Sequence, residues 1–194
     1  MRDEDFLLLK NLFFNLRISD KEEEHFKSLW CTKYFKQNDL KTEAGSIERN
    51  FYLVLEGVQA IYVLNEKGEK VVLGFSYTGS PSGVFDSFVS GEPSKIFLEA
   101  LKPSRLLAIS KSDSLDLFKN DPSFYQWGHH FFQEVLFGRL SREVELLTLT
   151  AEQRYISFMQ RCPDELKVIP QKYLASYLNM KPETFSRLRA STVY

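Results

Sequence analysis

The sequence predicts an α+β protein in three parts: an N-terminal antiparallel double-stranded β-helix of jelly-roll type, a long helix, and a small C-terminal helix-turn-helix. Three observations carry that reading. From about Thr32 to Ser110, short apolar runs follow a period of two and are divided by glycine-bearing turns, with no helical pattern between them. From Asp121 to about Leu147 the period becomes helical, with two apolar rows. Val168–Arg189 then reads as two short helices around a tight turn. The matching divisions are 1–120, 121–149 and 150–194.

Composition narrows the class. The chain has 194 residues, 43% hydrophobic, with net charge -1, which suits a soluble protein of one or two domains. No run of about 18 apolar residues is present, so no membrane span is expected. The acidic start, Met1-Arg2-Asp3-Glu4-Asp5, is unlike a secretory signal and points to the cytoplasm. Two cysteines, Cys31 and Cys162, supply neither a disulfide framework nor a metal quartet and read as free thiols. Charge is uneven. Residues 151–194 carry seven basic side chains against four acidic ones, a basic tail on an acidic body, as expected where one end meets nucleic acid.

Residues 5–17 predict a helix with an apolar face. Ser19 is a candidate cap for a second helix, with Glu22 reaching back and Phe26 and Leu29 turned inward. The glutamate run at 22–24 reads as a solvated first turn favoured by the helix dipole. Six strands are predicted: Thr32–Phe35, Phe51–Leu55, Gln59–Leu64, Lys70–Phe75, Lys95–Ala100 and Arg105–Ser110. Asn65-Glu66-Lys67-Gly68 is the clearest hairpin turn, and Glu56-Gly57 and Thr78-Gly79 also punctuate. Strands without helices between them imply an antiparallel sandwich or roll.

Asp121 caps the long helix and Pro122 takes its first position. Phe124, Phe131, Val135 and Gly138 form one row; Phe132, Leu136, Leu140, Glu143 and Leu147 form the other. One row can lie on the roll, and the other needs a cover. The simplest cover is the same helix of a second subunit; a single buried core helix is the alternative. Gly128 and Gly138 each cost about 1 kcal/mol against Ala in a helix, which suggests close packing at both. A break at 148–151 follows, then a capping box with Thr150 as cap and Gln153 as its partner.

In the final motif, Leu174, Tyr177 and Leu178 give the first helix an apolar face, and Ala175 is small where a second helix must cross. Asn179 sits at the turn and tolerates a left-handed conformation. Pro182 opens the second helix, and Phe185 and Leu188 point inward.

Roll, long helix and helix-turn-helix together resemble the Crp/Fnr family of bacterial transcription regulators. The resemblance rests on Asn50–Gly57, Lys67–Phe75, Leu149–Tyr155 and Val168–Arg189. It implies a homodimer on double-stranded DNA with a pseudo-palindromic operator, contact with RNA polymerase, and no enzymatic activity. Pro182, Glu183, Thr184, Ser186 and Arg187 fall on the family's reading face, and the Glu183–Arg187 spacing matches its base-reading pair. Arg can grip guanine bidentately and Glu can accept from cytosine N4; at i, i+4 the two could also form an exposed ion pair. Gln171, Lys172, Lys181 and Arg189 suit phosphate contacts. Lys181 departs from the expected Ser or Thr cap and gives up a bond worth about 1 kcal/mol. Asn179 stands where the family has glycine.

The resemblance also implies a cyclic-nucleotide pocket, with Gly-Glu early and Arg-Ser or Arg-Thr about a dozen residues later. Here Gly83 remains, but Val84 falls where the glutamate belongs and Ser94 where the arginine belongs. Lys95 is adjacent but on a strand faces the other side; a one-residue shift would return it to the pocket. Without the guanidinium a phosphate loses a charge-assisted pair, so cyclic AMP is not the expected effector and no cofactor is implied. The family's iron–sulfur sensors need about four cysteines. His25, His129 and His130 are haem-ligand candidates by type only, and no metal site is expected. Two other functions compete. A metal-dependent jelly-roll enzyme would need histidines on the strands, which hold none. A ligand-binding or interaction module would carry the helix-turn-helix as a structural part alone.

Overall fold

A computed structural model describes residues 1–13, 20–120 and 122–191. Two helices, α1 (Asp3–Leu12) and α2 (Asp20–Ser28), precede β1 (Trp30–Phe35), β2 (Leu40–Thr42), β3 (Asn50–Glu56), β4 (Val58–Leu64), β5 (Lys70–Tyr77) and β6 (Pro81–Ser82). Helix α3 (Phe85–Ser90) leads to β7 (Phe97–Ala100), β8 (Ser104–Ser110) and α4 (Lys111–Asn120). The long α5 (Pro122–Thr148) is followed by α6 (Ala151–Arg161), α7 (Asp164–Lys167), α8 (Gln171–Tyr177) and α9 (Pro182–Ser191). The expected Ser19–Glu22 capping box and the Asp121 cap lie outside the described residues, as does the end of the helix expected over 5–17. Two elements correct the expectation of uninterrupted strands: α3 and α4 are helices inside or directly after the roll. The strands β2 and β6 are too short to show a period.

The strands form two antiparallel four-stranded sheets, ordered β1-β8-β3-β6 and β2-β7-β4-β5. Period two is present in β3 and β4, but both faces are apolar. Five consecutive residues are buried in each, 51–55 and 58–62. In β3, Phe51, Leu53 and Leu55 pack under α1, α2 and α5 with Phe6, Phe26, Phe124 and Trp127. Tyr52 and Val54 face the roll interior with Leu106 and Ala108. In β4, Ile61 meets Val84 and Leu98 inside, while Val58, Ala60 and Tyr62 pack on the outer side against the C-terminal helices. Strands buried on both faces mean that each sheet has a second layer outside it.

The turn into β4 depends on Gly57. Its φ is +102°, and a Cβ there would lie 2.7 Å from the Pro103 carbonyl oxygen, so both conformation and space demand glycine. The long helix runs 27 residues. Its first row docks on the roll: Phe124 and Trp127 are buried, and Trp127 Nε1 donates to the Leu12 carbonyl at 2.8 Å. Gly128 answers to the close-packing expectation, since a Cβ would meet Phe118 Cε1 at 2.7 Å; Gly138 does not, with open space around it. The second row is exposed: Phe132, Leu136, Leu140 and Leu147, joined by Tyr125, Phe137 and Val144.

Candidate nucleic-acid interface and sensory pocket

The helix-turn-helix is built on Tyr155, Leu174, Ala175, Leu178, Phe185 and Leu188, all buried. The Tyr155 and Phe185 rings meet edge-on at 5.3 Å. The predicted capping box at Thr150 is complete: Gln153 N donates to Thr150 Oγ1 at 3.2 Å, and Thr150 N donates to Gln153 Oε1 at 2.9 Å. Asn179 adopts φ 50° at the turn, and Met180 N closes back on the Ala175 carbonyl at 3.0 Å. The Lys181 carbonyl accepts the first bond of α9, from Phe185 N at 3.1 Å.

Arg154 ties this turn to the end of α5. Its Nε donates to the Leu178 carbonyl at 2.9 Å, Nη2 to Asn179 O at 3.2 Å, and Nη1 to Leu149 O at 2.6 Å. One guanidinium thereby satisfies carbonyls in the turn and in the break after α5, a use of its fixed fork of donors. Nothing in the sequence marks Arg154 for this role.

On the outer face of α9, Lys181, Pro182, Glu183, Ser186, Arg187 and Arg189 are exposed, whereas Thr184 is half-buried. Glu183 and Arg187 make no ion pair among the described residues, so the self-paired alternative is not what the fold adopts. At the start of α8, Lys172 is exposed and Gln171 half-buried.

The other side of α8 docks on the roll. A bulge between β4 and β5 pairs Ile61 with Gly74 and Tyr62 with Val72, leaving Leu73 extra. The backbone groups around the bulge find side-chain partners. Val72 N donates to Ser176 Oγ at 3.0 Å, and Ser176 Oγ donates to Lys70 O at 2.9 Å. Arg139 Nη1 reaches Leu73 O at 2.6 Å. Arg142 Nη2 reaches Tyr177 O at 2.8 Å and Val72 O at 3.3 Å. Burial lowers the Arg142 pKa from its usual value. Beside this junction Lys70 pairs with the buried Glu99, whose Oε1 accepts from the Tyr173 hydroxyl at 3.5 Å. Between roll, α5 and the C-terminal helices lies a cleft of about 550 Å³, walled by Leu73, Phe75, Phe131, Arg139, Arg142 and Phe158.

The stretch expected to form the effector pocket is occupied by packing. Gly83 is buried with φ +153°. Val84 is 1% exposed in the Ile61–Leu98 cluster. Ser94 is buried; its Oγ donates to Asp86 Oδ2 at 2.7 Å and accepts from Ile96 N at 3.1 Å. Lys95 is exposed in a bend, because β7 begins only at Phe97 and not at Lys95 as expected. These four residues do not converge on one polar site.

Neither thiol forms a disulfide; Cys31 is exposed and Cys162 buried. Burial pushes the Cys162 thiol up to about 11. His25, His129 and His130 are all exposed, and no group of three or more metal-ligating side chains occurs among the described residues. No described helix is long and apolar enough to cross a membrane.

Residues 32–121 match the family model of the cyclic nucleotide-binding domain. No curated protein sequence matches the chain. Solved structures match along most of its length. FixK2 from Bradyrhizobium japonicum superposes with TM-score 0.74 at 16% identity, covering 83% of each chain. CLP of Xanthomonas campestris, described as a c-di-GMP responsive global regulator, gives 0.68 at 16% identity over 89% of this chain and 90% of its own. The catabolite activator protein of Thermus thermophilus gives 0.59 at 18% identity over 93% and 85%. The chain therefore has the fold of Crp/Fnr-type regulators, roll and long helix included.

Proposed function

We propose that the chain is a dimeric, non-enzymatic transcription regulator of Crp/Fnr type that reads double-stranded DNA with α9. The observation that carries this is the outer face of α9. Glu183 and Arg187 stand exposed without an ion pair among the described residues, flanked by Lys181 and Arg189, on a helix whose approach is held by Arg154 and a left-handed Asn179. Arg187 would grip guanine and Glu183 would accept from cytosine. Pro182, Thr184 and Ser186 complete the face, and Lys172, Lys181, Arg189 and Gln171 would hold phosphates.

The exposed apolar row of α5 supports a homodimer, with a second α5 as its cover. Two reading helices would then sit about 34 Å apart on a pseudo-palindromic operator. In functional terms the chain divides into a sensory roll (1–120), a dimer helix (121–149) and a DNA-reading part (150–194). The buried Val84 and Ser94 argue against cyclic AMP as effector in the family's usual mode. RNA polymerase is the further macromolecular partner, and the cytoplasm the site of action.

Selection from random double-stranded DNA tests the reading. The expected product is a pseudo-palindrome with half-sites one turn apart, bound with a steep negative salt dependence. Failure to enrich any sequence, or a flat salt response, would remove DNA reading. It would favour the alternative of an interaction module, to which the docking of α8 on β5 through Ser176 already gives a structural use for the motif.

A further inference from the structure

A half-buried lysine reaches from β2 toward the inner face of the roll. Lys41 is the central residue of β2. Its ammonium lies 3.2 Å from the centroid of the Tyr52 ring and reaches Ser82 Oγ only at 3.5 Å. Tyr52 and Ser82 are register partners of β3 and β6, so the ammonium sits over one rung of that sheet, immediately before Gly83. No carboxylate forms an ion pair with it among the described residues.

The nearby carboxylate is already committed. Glu48 is buried; its Oε2 accepts from Thr42 Oγ1 at 2.6 Å and its Oε1 from Asn50 N at 3.1 Å. Lys41, Thr42, Ser46, Glu48, Asn50 and Tyr52 line a cavity of about 320 Å³. Glu43 and Arg49, of opposite charge, are exposed at its edge. An ammonium has three donors, and leaving them short of partners away from water is costly. Burial holds Lys41 well below the usual lysine range, only partly opposed by Glu48.

We propose that this cavity is an oxyanion site, in which Lys41 Nζ donates to a carboxylate or phosphate oxygen of a small ligand. The anchoring charge comes from β2, a strand remote in sequence from the 83–95 stretch. The site also has a route to the DNA-reading end. β2 pairs with β7 through Leu40↔Glu99 and Thr42↔Leu98, and Glu99 accepts from Tyr173 of α8. A ligand on Lys41 is thus one strand away from the surface on which α8 docks. The inference rests on the regulator reading only for calling that ligand a signal; the site itself is tested without DNA.

The probes are inorganic phosphate and acetate, each titrated into the full chain at constant ionic strength against chloride, with the urea midpoint as readout. A saturable rise absent with chloride is expected. A response to phosphate alone identifies a phosphate ligand, to acetate alone a carboxylate ligand, and to both the shared oxyanion chemistry. Lys41→Met keeps the apolar stem and removes the charge; it is expected to weaken the response at least about tenfold. No saturable response beyond chloride, or an undiminished one in Lys41→Met, overturns the proposal. If that variant does not fold, acetate binding to the unaltered protein is measured calorimetrically at constant ionic strength. Saturable heat that chloride does not produce supports the site, and its absence overturns it. Failure of the protein to select DNA would leave these titrations standing and defeat only the regulator reading.

Discussion

The outer face of α9 and the 83–95 stretch of the roll are both places where the sequence points to binding, and the fold treats them oppositely. On α9 the polar side chains are exposed, and the helix is held by residues behind it: Phe185, Leu188 and the Arg154 clamp. In the roll, Val84 and Ser94 are themselves the interior, one in an apolar cluster and the other bonded to Asp86 and Ile96. A surface whose side chains carry no packing can change its chemistry at little cost in stability. Positions that serve as core cannot take up a polar ligand by exchange of single residues.

That contrast can be broken at either end. The largest effect is expected from Val84→Glu. It restores the residue type of cyclic-nucleotide relatives but places a carboxylate in an apolar cluster, costing about 3–5 kcal/mol. Urea unfolding reads the loss; an unchanged midpoint together with tight cyclic AMP binding would show that the 83–95 stretch can open to a ligand. Arg187→Ala is expected to do the reverse. Stability stays within about 0.5 kcal/mol, while discrimination at one base pair of the operator falls by about 1–3 kcal/mol. An Arg187→Ala protein that selects the same operator as strongly would move the reading face elsewhere.

Ser176→Ala probes the junction between the two ends. It leaves Val72 N and Lys70 O without their hydroxyl partner and should cost about 1 kcal/mol. Faster amide exchange at Val72 would localise the change; unaltered exchange would show that the contact does not hold α8 on the roll. The smallest effect concerns pH. The Arg161 guanidinium holds the Glu145 carboxyl below its usual range, and the pair joins α5 to α6 at 2.6 Å. A carboxyl lowered in the folded state adds stability that is fully present above its unfolded value, about pH 4.3. That stability disappears as pH falls through the folded value. The pair is half-exposed on the arginine side, so its contribution is about 0.5 kcal/mol. Glu145→Gln should lower stability at neutral pH and converge with the unaltered protein in acid; a constant difference down to acid pH would assign the loss to packing.

Legibility followed the range of the interactions. The Thr150–Gln153 box, the Asn179 turn and the Pro182 start were readable because each is decided within four residues. Strands β2 and β6, three and two residues long, carry no readable period, and α3 sits inside a run that looks like loop. Arg154, Ser176 and Arg142 were invisible because their partners are distant carbonyls and amides, which every sequence contains. Lys41 was passed over for the same reason. A lysine on a short polar strand looks like surface until the Tyr52 ring closes over it.

The sequence by itself determined the order of parts, the two-rowed long helix and the turn between α8 and α9, because period, caps and turn residues are local. Only the tertiary structure decided which faces are covered. It turned β3 and β4 into strands buried on both sides, laid α8 on the β5 bulge, closed the 83–95 stretch and set the Lys41 ammonium over the Tyr52 ring. Those outcomes depend on which surfaces meet, and burial changes the energy of a charge or hydroxyl far more than its neighbours in sequence do.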